Sequence, residues 1–108
     1  MASDKEFVDY ICEQISGAGD ISYKKMFGEY GVYCNAKIIG LVCDNMFYVK
    51  KTEKGAEIIG ACEEASPYTN AKPHFLIESA DDKDLMTEFI LATYRELPEP
   101  KPKKKKVL

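Results

Sequence analysis

The chain has 108 residues, of which 45% are hydrophobic and 31% charged, with a net charge of −3. That is the size and composition of one soluble globular domain. No apolar run approaches the ~20 residues of a membrane span, and the start, MASDKEF, lacks the apolar core of a secretory signal. A cytoplasmic location with no membrane partner is expected.

The charge is unevenly spread. Residues 1–100 hold 10 basic and 18 acidic side chains, a net −8, whereas 101–108 hold five lysines and no acid, a net +5. An acidic body repels nucleic acid unless a basic patch intervenes. The cysteines, Cys12, Cys34, Cys43 and Cys62, form no Cys-x-x-Cys pair, and each falls on an apolar position of an expected helix or strand. They read as small buried hydrophobes rather than disulfides or ligands. One histidine, His74, is too little to complete a zinc site. No metal and no cofactor is expected.

In chain order, Ser3-Asp4-Lys5-Glu6 reads as a capping box, with Ser3 at the N-cap. The helix after it, 4–16, places Phe7, Val8, Ile11, Cys12 and Ile15 on one stripe. Gly17 or Gly19 is available for a left-handed C-cap. Then comes a strand over 23–34, interrupted by Gly28 and Gly31, which suggest a bulge, a sharp coil or the close approach of another backbone or a ligand, the bulge being the plainer reading. A second strand, 37–43, and a third, 46–50, follow after turns at Asn35-Ala36 and Asp44-Asn45, where Asn and Asp tolerate positive φ. In the second strand Ile39, Leu41 and Cys43 point one way, and Ile38 and Val42 the other. Apolar residues on both faces imply that both are covered. Two covers fit: another subunit, or helices on both faces of one monomer.

Thr52 caps a second helix over 53–65, with Ile58, Ile59, Cys62 and Ala65 on its inner face. Gly55 and Gly60 weaken it, so it leans on tertiary packing. Residues 66–73 are irregular. A strand over 74–78 follows, expected at a sheet edge because Pro73 cannot donate to a ladder. Ser79, with Asp81 and Asp82, opens a third helix whose stripe is Leu85, Met86, Phe89, Ile90, Thr93 and Leu97. Pro98 stops it. The Pro/Lys-rich tail, 99–108, is expected to be disordered. Its lysines Lys103, Lys104, Lys105 and Lys106 resemble a nuclear-import signal and also suit nucleic acid or an acidic partner, though such runs are commonly just solvated.

If the strands run up, down and up, Lys37 lies beside Lys50 and Lys51, where the second helix begins. Lys37, Lys50, Lys51 and Lys54 would then surround a helix N-terminus, which favours anions. This is the candidate anion or partner site, against the plainer reading of solvated lysines at strand ends. No nucleophile elbow, phosphate loop, metalloprotease motif or supported Cys–His pair is present. Glu63-Glu64 and Asp81-Asp82 are neighbours in sequence and do not face each other on a helix. The residues point to a non-enzymatic chain.

The stretch MFGEYGVYCNAKIIGLVCDNMFYVK resembles the signature of the TfoX N-terminal domain family. Met26, Phe27, Gly28, Gly31, Tyr33, Lys37, Tyr48, Lys50 and the Asp44-Asn45 turn carry the resemblance. PYTNAKPHFLIE and the helix after it extend it over nearly the whole chain. The resemblance implies an α+β fold, an α-β(3)-α-β(2)-α two-layer sandwich with an antiparallel meander, similar to secretion chaperones that pair into dimers. It also implies a further strand near 67–69. Two-domain members regulate natural competence at the level of transcription; the resemblance covers their first domain, and a short, single-domain branch is expected. The family brings no catalytic residues. The expected function is a regulatory, protein-binding domain over 1–98, with a protein partner or a homodimer. Nucleic acid binding through the tail, or a small ligand near Tyr33, Tyr48 or His74, is the alternative.

Overall fold

Among the described residues six strands make one antiparallel sheet, and three helices lie against one of its faces. The computed structural model describes residues 4–26 and 29–98. The expectations placed on Ser3, Phe27, Gly28 and the tail lysines fall outside those residues.

Helix α1 (Lys5–Gln14) turns Val8 and Ile11 fully inward, with Ile15 after it. Asp4, not Ser3, occupies the cap position, and its backbone N–H donates to Asn45 Oδ1 at 2.8 Å. Ile15 rather than a glycine follows the last helical turn, and a 3-10 turn, Ser16–Ala18, leads into the sheet.

The expected strand over 23–34 is two strands. Strand β1 (Ile21–Met26) pairs with β2 (Glu29–Cys34) in an antiparallel ladder from Ile21↔Cys34 to Met26↔Glu29. The chain therefore reverses where a bulge was expected. Strands β3 (Lys37–Cys43) and β4 (Met46–Val49) continue the meander. The two hairpin turns are as expected: Asn35, Ala36, Asp44 and Asn45 have φ of 50, 70, 54 and 58°.

The bulge lies elsewhere. Val32 pairs with Gly40 but Tyr33 pairs with Ile38, so Ile39 is an extra residue in β3. One extra residue shifts the alternation by one. Lys37, Ile39 and Val42 consequently face the helices, and Ile38, Leu41 and Cys43 face away. The expected grouping of Ile39 with Leu41, and of Ile38 with Val42, is corrected by this single residue.

Thr52 caps helix α2 (Glu53–Ile59), its Oγ1 accepting from Gly55 N at 2.9 Å. The helix stops well before 65. Gly60 takes φ 73°, a left-handed cap that a side chain resists. Residues beyond it form β5 (Glu64–Ala65), inside the stretch expected to be helical, whereas 67–69, where a further strand was expected, are bend and turn. Strand β6 (His74–Ile77) pairs with both β4 and β5, so it is not an edge. Pro73 only precedes it. The sheet order is β1-β2-β3-β4-β6-β5.

Helix α3 (Lys83–Glu96) is capped by Asp82, whose Oδ1 accepts from Leu85 N at 3.1 Å; Ser79 lies further out. Leu97, extended at ψ 140°, ends it as a residue before proline should. Met86, Phe89 and Ile90 of α3 meet Val8 and Ile11 of α1 over Val32, Ile39, Val42, Phe47 and Val49 of the sheet. Each such fully buried side chain stabilises by about 1.5–3 kcal/mol. Helix α2 packs on α3 through Gly55, and Ile58 and Ile59 join the same core. This is a two-layer α+β fold. The reading with helices on both faces is overturned.

Candidate functional site

The four lysines expected to gather at the start of α2 are given different work. Lys37 is 5% exposed and points into the helical layer. Its Nζ donates to Tyr94 O at 3.0 Å and to Leu97 O at 2.7 Å, and sits 4.3 Å from the Tyr94 ring centroid. It serves the carbonyl end of α3, where a cation suits the helix dipole. Lys51 pairs with Glu64 at 2.8 Å. The N-terminus of α2 already has its anion: Glu96 accepts from Glu53 N at 2.9 Å and from Lys54 N at 2.8 Å. Those two backbone bonds, to Lys54 and then Glu53, hold the Glu96 carboxyl below its ordinary range. Lys50 alone of the four lines a cavity, and that cavity is on the other face of the sheet.

This outer face is apolar over β3 and β4, carries Lys24 of β1 with its Nζ 5.7 Å from the Tyr33 ring centroid, and has no helix over it among the described residues. Reading across the ladders, it presents Tyr33 beside Ile38, then Leu41 beside Tyr48 and Leu76, then Cys43 beside Met46. A soluble domain ordinarily alternates apolar with polar residues on such a face. Met46, at 44% exposed, and Tyr68, at 58%, are two of the large apolar side chains left in solvent. Both belong to this side.

Between the face and the 66–73 loop runs a groove of about 790 Å³. Ile38, Leu41 and Cys43 form its floor, and Pro67 and Tyr68 its wall. The loop has internal bonds: Ser66 Oγ donates to Ala71 O at 2.9 Å, Ala71 N to Tyr68 O at 3.0 Å, and His74 Nδ1 lies 2.7 Å from Lys72 O. Asn70 supplies the positive φ, 70°.

The groove is polar at its two ends, with opposite signs. Glu29 and Asp44 stand where β3 finishes, Asp44 N donating to Glu29 Oε2 at 3.1 Å. Lys50, Lys72 and His74 stand at the other end, beside Ile38. At the acidic end burial, then Glu29 and Asp44, push the Cys43 thiol up. Tyr48 is raised by burial and then by Cys43 and Asp44. The other thiols are also raised, burial being the first cause each time, Cys12 to about 11. All four cysteines are free.

A more open depression of about 580 Å³ lies by β5 and β6, with Cys62, Glu63, Leu76 and Glu78 on its walls. Glu63 is raised there by its hydrogen bond to Glu78 and the neighbouring charge. No group of metal-holding side chains occurs among the described residues, and no helix of those residues is long and apolar enough to cross a membrane.

Of the residues singled out in the sequence, Lys50 and His74 line the groove, whereas Tyr33 and Tyr48, expected beside any ligand pocket, do not. Sequence reading missed the groove, because the bulge at Ile39 decides which side Leu41 faces. Pro67 and Tyr68, in an irregular loop, carried no signal of where they would lie.

A 107-residue alignment, 98% of this chain and 93% of the relative, is 30% identical to an uncharacterized 12.7 kDa protein in the trpE 5′ region of Spirochaeta aurantia. The family profile of the TfoX N-terminal domain matches residues 13–98, from late in α1 to the end of α3. The chain belongs to the TfoX N-terminal domain family.

Proposed function

We propose that this chain acts by binding another protein, without catalysis, in a regulatory setting, and that the outer face of the sheet is its contact surface. The observation that carries the reading is the set of half-buried Ile38, Leu41 and Leu76, with Met46 and Tyr68 open to solvent beside them, on a face that no described helix covers. Large exposed apolar patches mark interaction sites. Family membership supports the regulatory setting, in competence or DNA uptake.

The test compares capture of host proteins by the full chain and by two variants. Leu41→Lys places a charge in the middle of the outer face and should abolish capture. Lys54→Glu, on the helical layer, should leave it intact. Capture unaffected by Leu41→Lys would overturn the reading. Salt-dependent DNA binding lost on deleting 101–108 would replace it with the nucleic-acid alternative.

A further inference from the structure

We propose that the outer face takes a second copy of this chain, related by a two-fold axis near Leu41, so that the lysine end of each groove meets the carboxylate end of the other. This rests on the reading that the outer face is the contact surface, and names its occupant.

The two ends of the groove carry opposite charge. Glu29 and Asp44 stand at one end of β3, and Lys50 and Lys72 at the other. Six residues of strand separate Ile38 from Asp44, roughly 20 Å. A face that is acidic at one end and basic at the other repels a copy laid parallel to itself. Rotated by a half-turn, it matches at both ends at once. A two-fold contact is self-complementary in this sense: if residue i of one protomer meets j of the other, j also meets i. An ordinary solvated face has no reason to combine that charge order with an apolar middle.

The apolar middle suits sheet-on-sheet packing. Two such faces stack at about 10 Å with side chains interdigitated. Ile38, Leu41 and Leu76 supply branched aliphatic surface, and Tyr68, more than half exposed on the groove wall, supplies an aromatic anchor of the type that dominates interfaces. The 66–73 loop flanks the floor, so each copy would seat beside the loop of the other.

Size sets the expected strength. Four strands about 4.8 Å apart and four to seven residues long, roughly 13–23 Å, make a small face, below the standard size of specific interfaces. The pairing should therefore depend on concentration, with a Kd in the micromolar range. Charge at the rims should set orientation as well as strength, because like charges brought together are strongly unfavourable.

The experiment is light scattering and sedimentation of the full chain from about 5 µM to about 500 µM, bracketing that Kd. The expected result is a shift from 12.2 kDa to twice that mass. Lys50→Glu with Lys72→Glu puts acid against acid at both ends and should raise Kd more than about tenfold. Glu29→Lys with Asp44→Asn makes the acidic end basic and should do the same. An equimolar mixture of the two variants has opposite charges at both ends and should pair again. Thermal melts show that each variant is folded; should the second lose its fold with the Glu29 bond to Asp44 N, Asp44→Asn alone replaces it. A wild type that stays monomeric overturns the second copy, while the Leu41→Lys capture comparison still decides the contact surface. A dimer indifferent to both charge variants overturns the arrangement. A dimer that survives Leu41→Lys overturns the outer face as its interface.

Discussion

The two faces of the sheet are built from the same kinds of residue and do different things. On the inner face Phe47, Val49, Val32, Ile39 and Val42 are fully buried beneath the helices. On the outer face Leu41, Ile38 and Leu76 are half-buried, and Met46 is open to solvent. Apolar content alone does not separate them. What separates them is whether the chain supplies its own cover. The inner face contributes to stability in the monomer; the outer face has that contribution left to make.

Truncation tests this difference most severely. Phe47→Ala opens a cavity in the inner core and should cost about 3–5 kcal/mol. Leu41→Ala, on the outer face of the neighbouring strand, should cost about 1 kcal/mol or less in a dilute monomer. Denaturant unfolding measures both, and equal losses would break the distinction. Next in size is Lys37→Met. It keeps the aliphatic stem but removes the donor from Tyr94 O and Leu97 O, so about 2 kcal/mol should be lost. Amide exchange should then quicken at the end of α3 and not at its start.

Within the helical layer Gly55→Ala is a sharper case. A Cβ there would lie 2.6 Å from Thr52 Oγ1 and 2.9 Å from Thr93 Oγ1. Helix propensity favours alanine by about 1 kcal/mol, but overpacking should win and leave a net loss of about 1–2 kcal/mol. A stabilised variant would show that α2 has room to move on α3. The smallest effect concerns Glu96. Its folded pKa is lowered by the backbone N–H groups of Lys54 and Glu53, so its contribution is present above the ordinary glutamate range and is lost as pH falls through the folded value. The melting temperature of Glu96→Gln should sit slightly below wild type at neutral pH and converge with it in acid.

Much of the fold was legible in short-range pattern. The stripe of Val8, Ile11 and Ile15, the strand at 37–43 and the turns at Asn35-Ala36 and Asp44-Asn45 follow from local preferences that tertiary structure did not override. The hairpin of β1 and β2 was not legible, since glycines at 28 and 31 suit a bulge as well as a reversal. Helix α2 was drawn too long because Gly60 was taken as a weak helical residue instead of its stop. The site was largely hidden. Lys37 stood out as a motif residue, yet its partners are 57 and 60 positions away, and no local pattern reports them. Lys50 could be found but not its face.

The bulge at Ile39 has a consequence for relatives of this chain. It puts residues of β3 that serve the helices and residues that face outward out of step with simple alternation. Positions 38 and 41 can therefore drift without touching the core, so specificity of contact and integrity of the fold are free to evolve apart. A relative that loses one residue here would keep a similar sequence while exchanging the two roles along half a strand. Alignments across this family should be read with that slip in mind, because identical letters at position 41 can be a contact residue in one chain and a core residue in another.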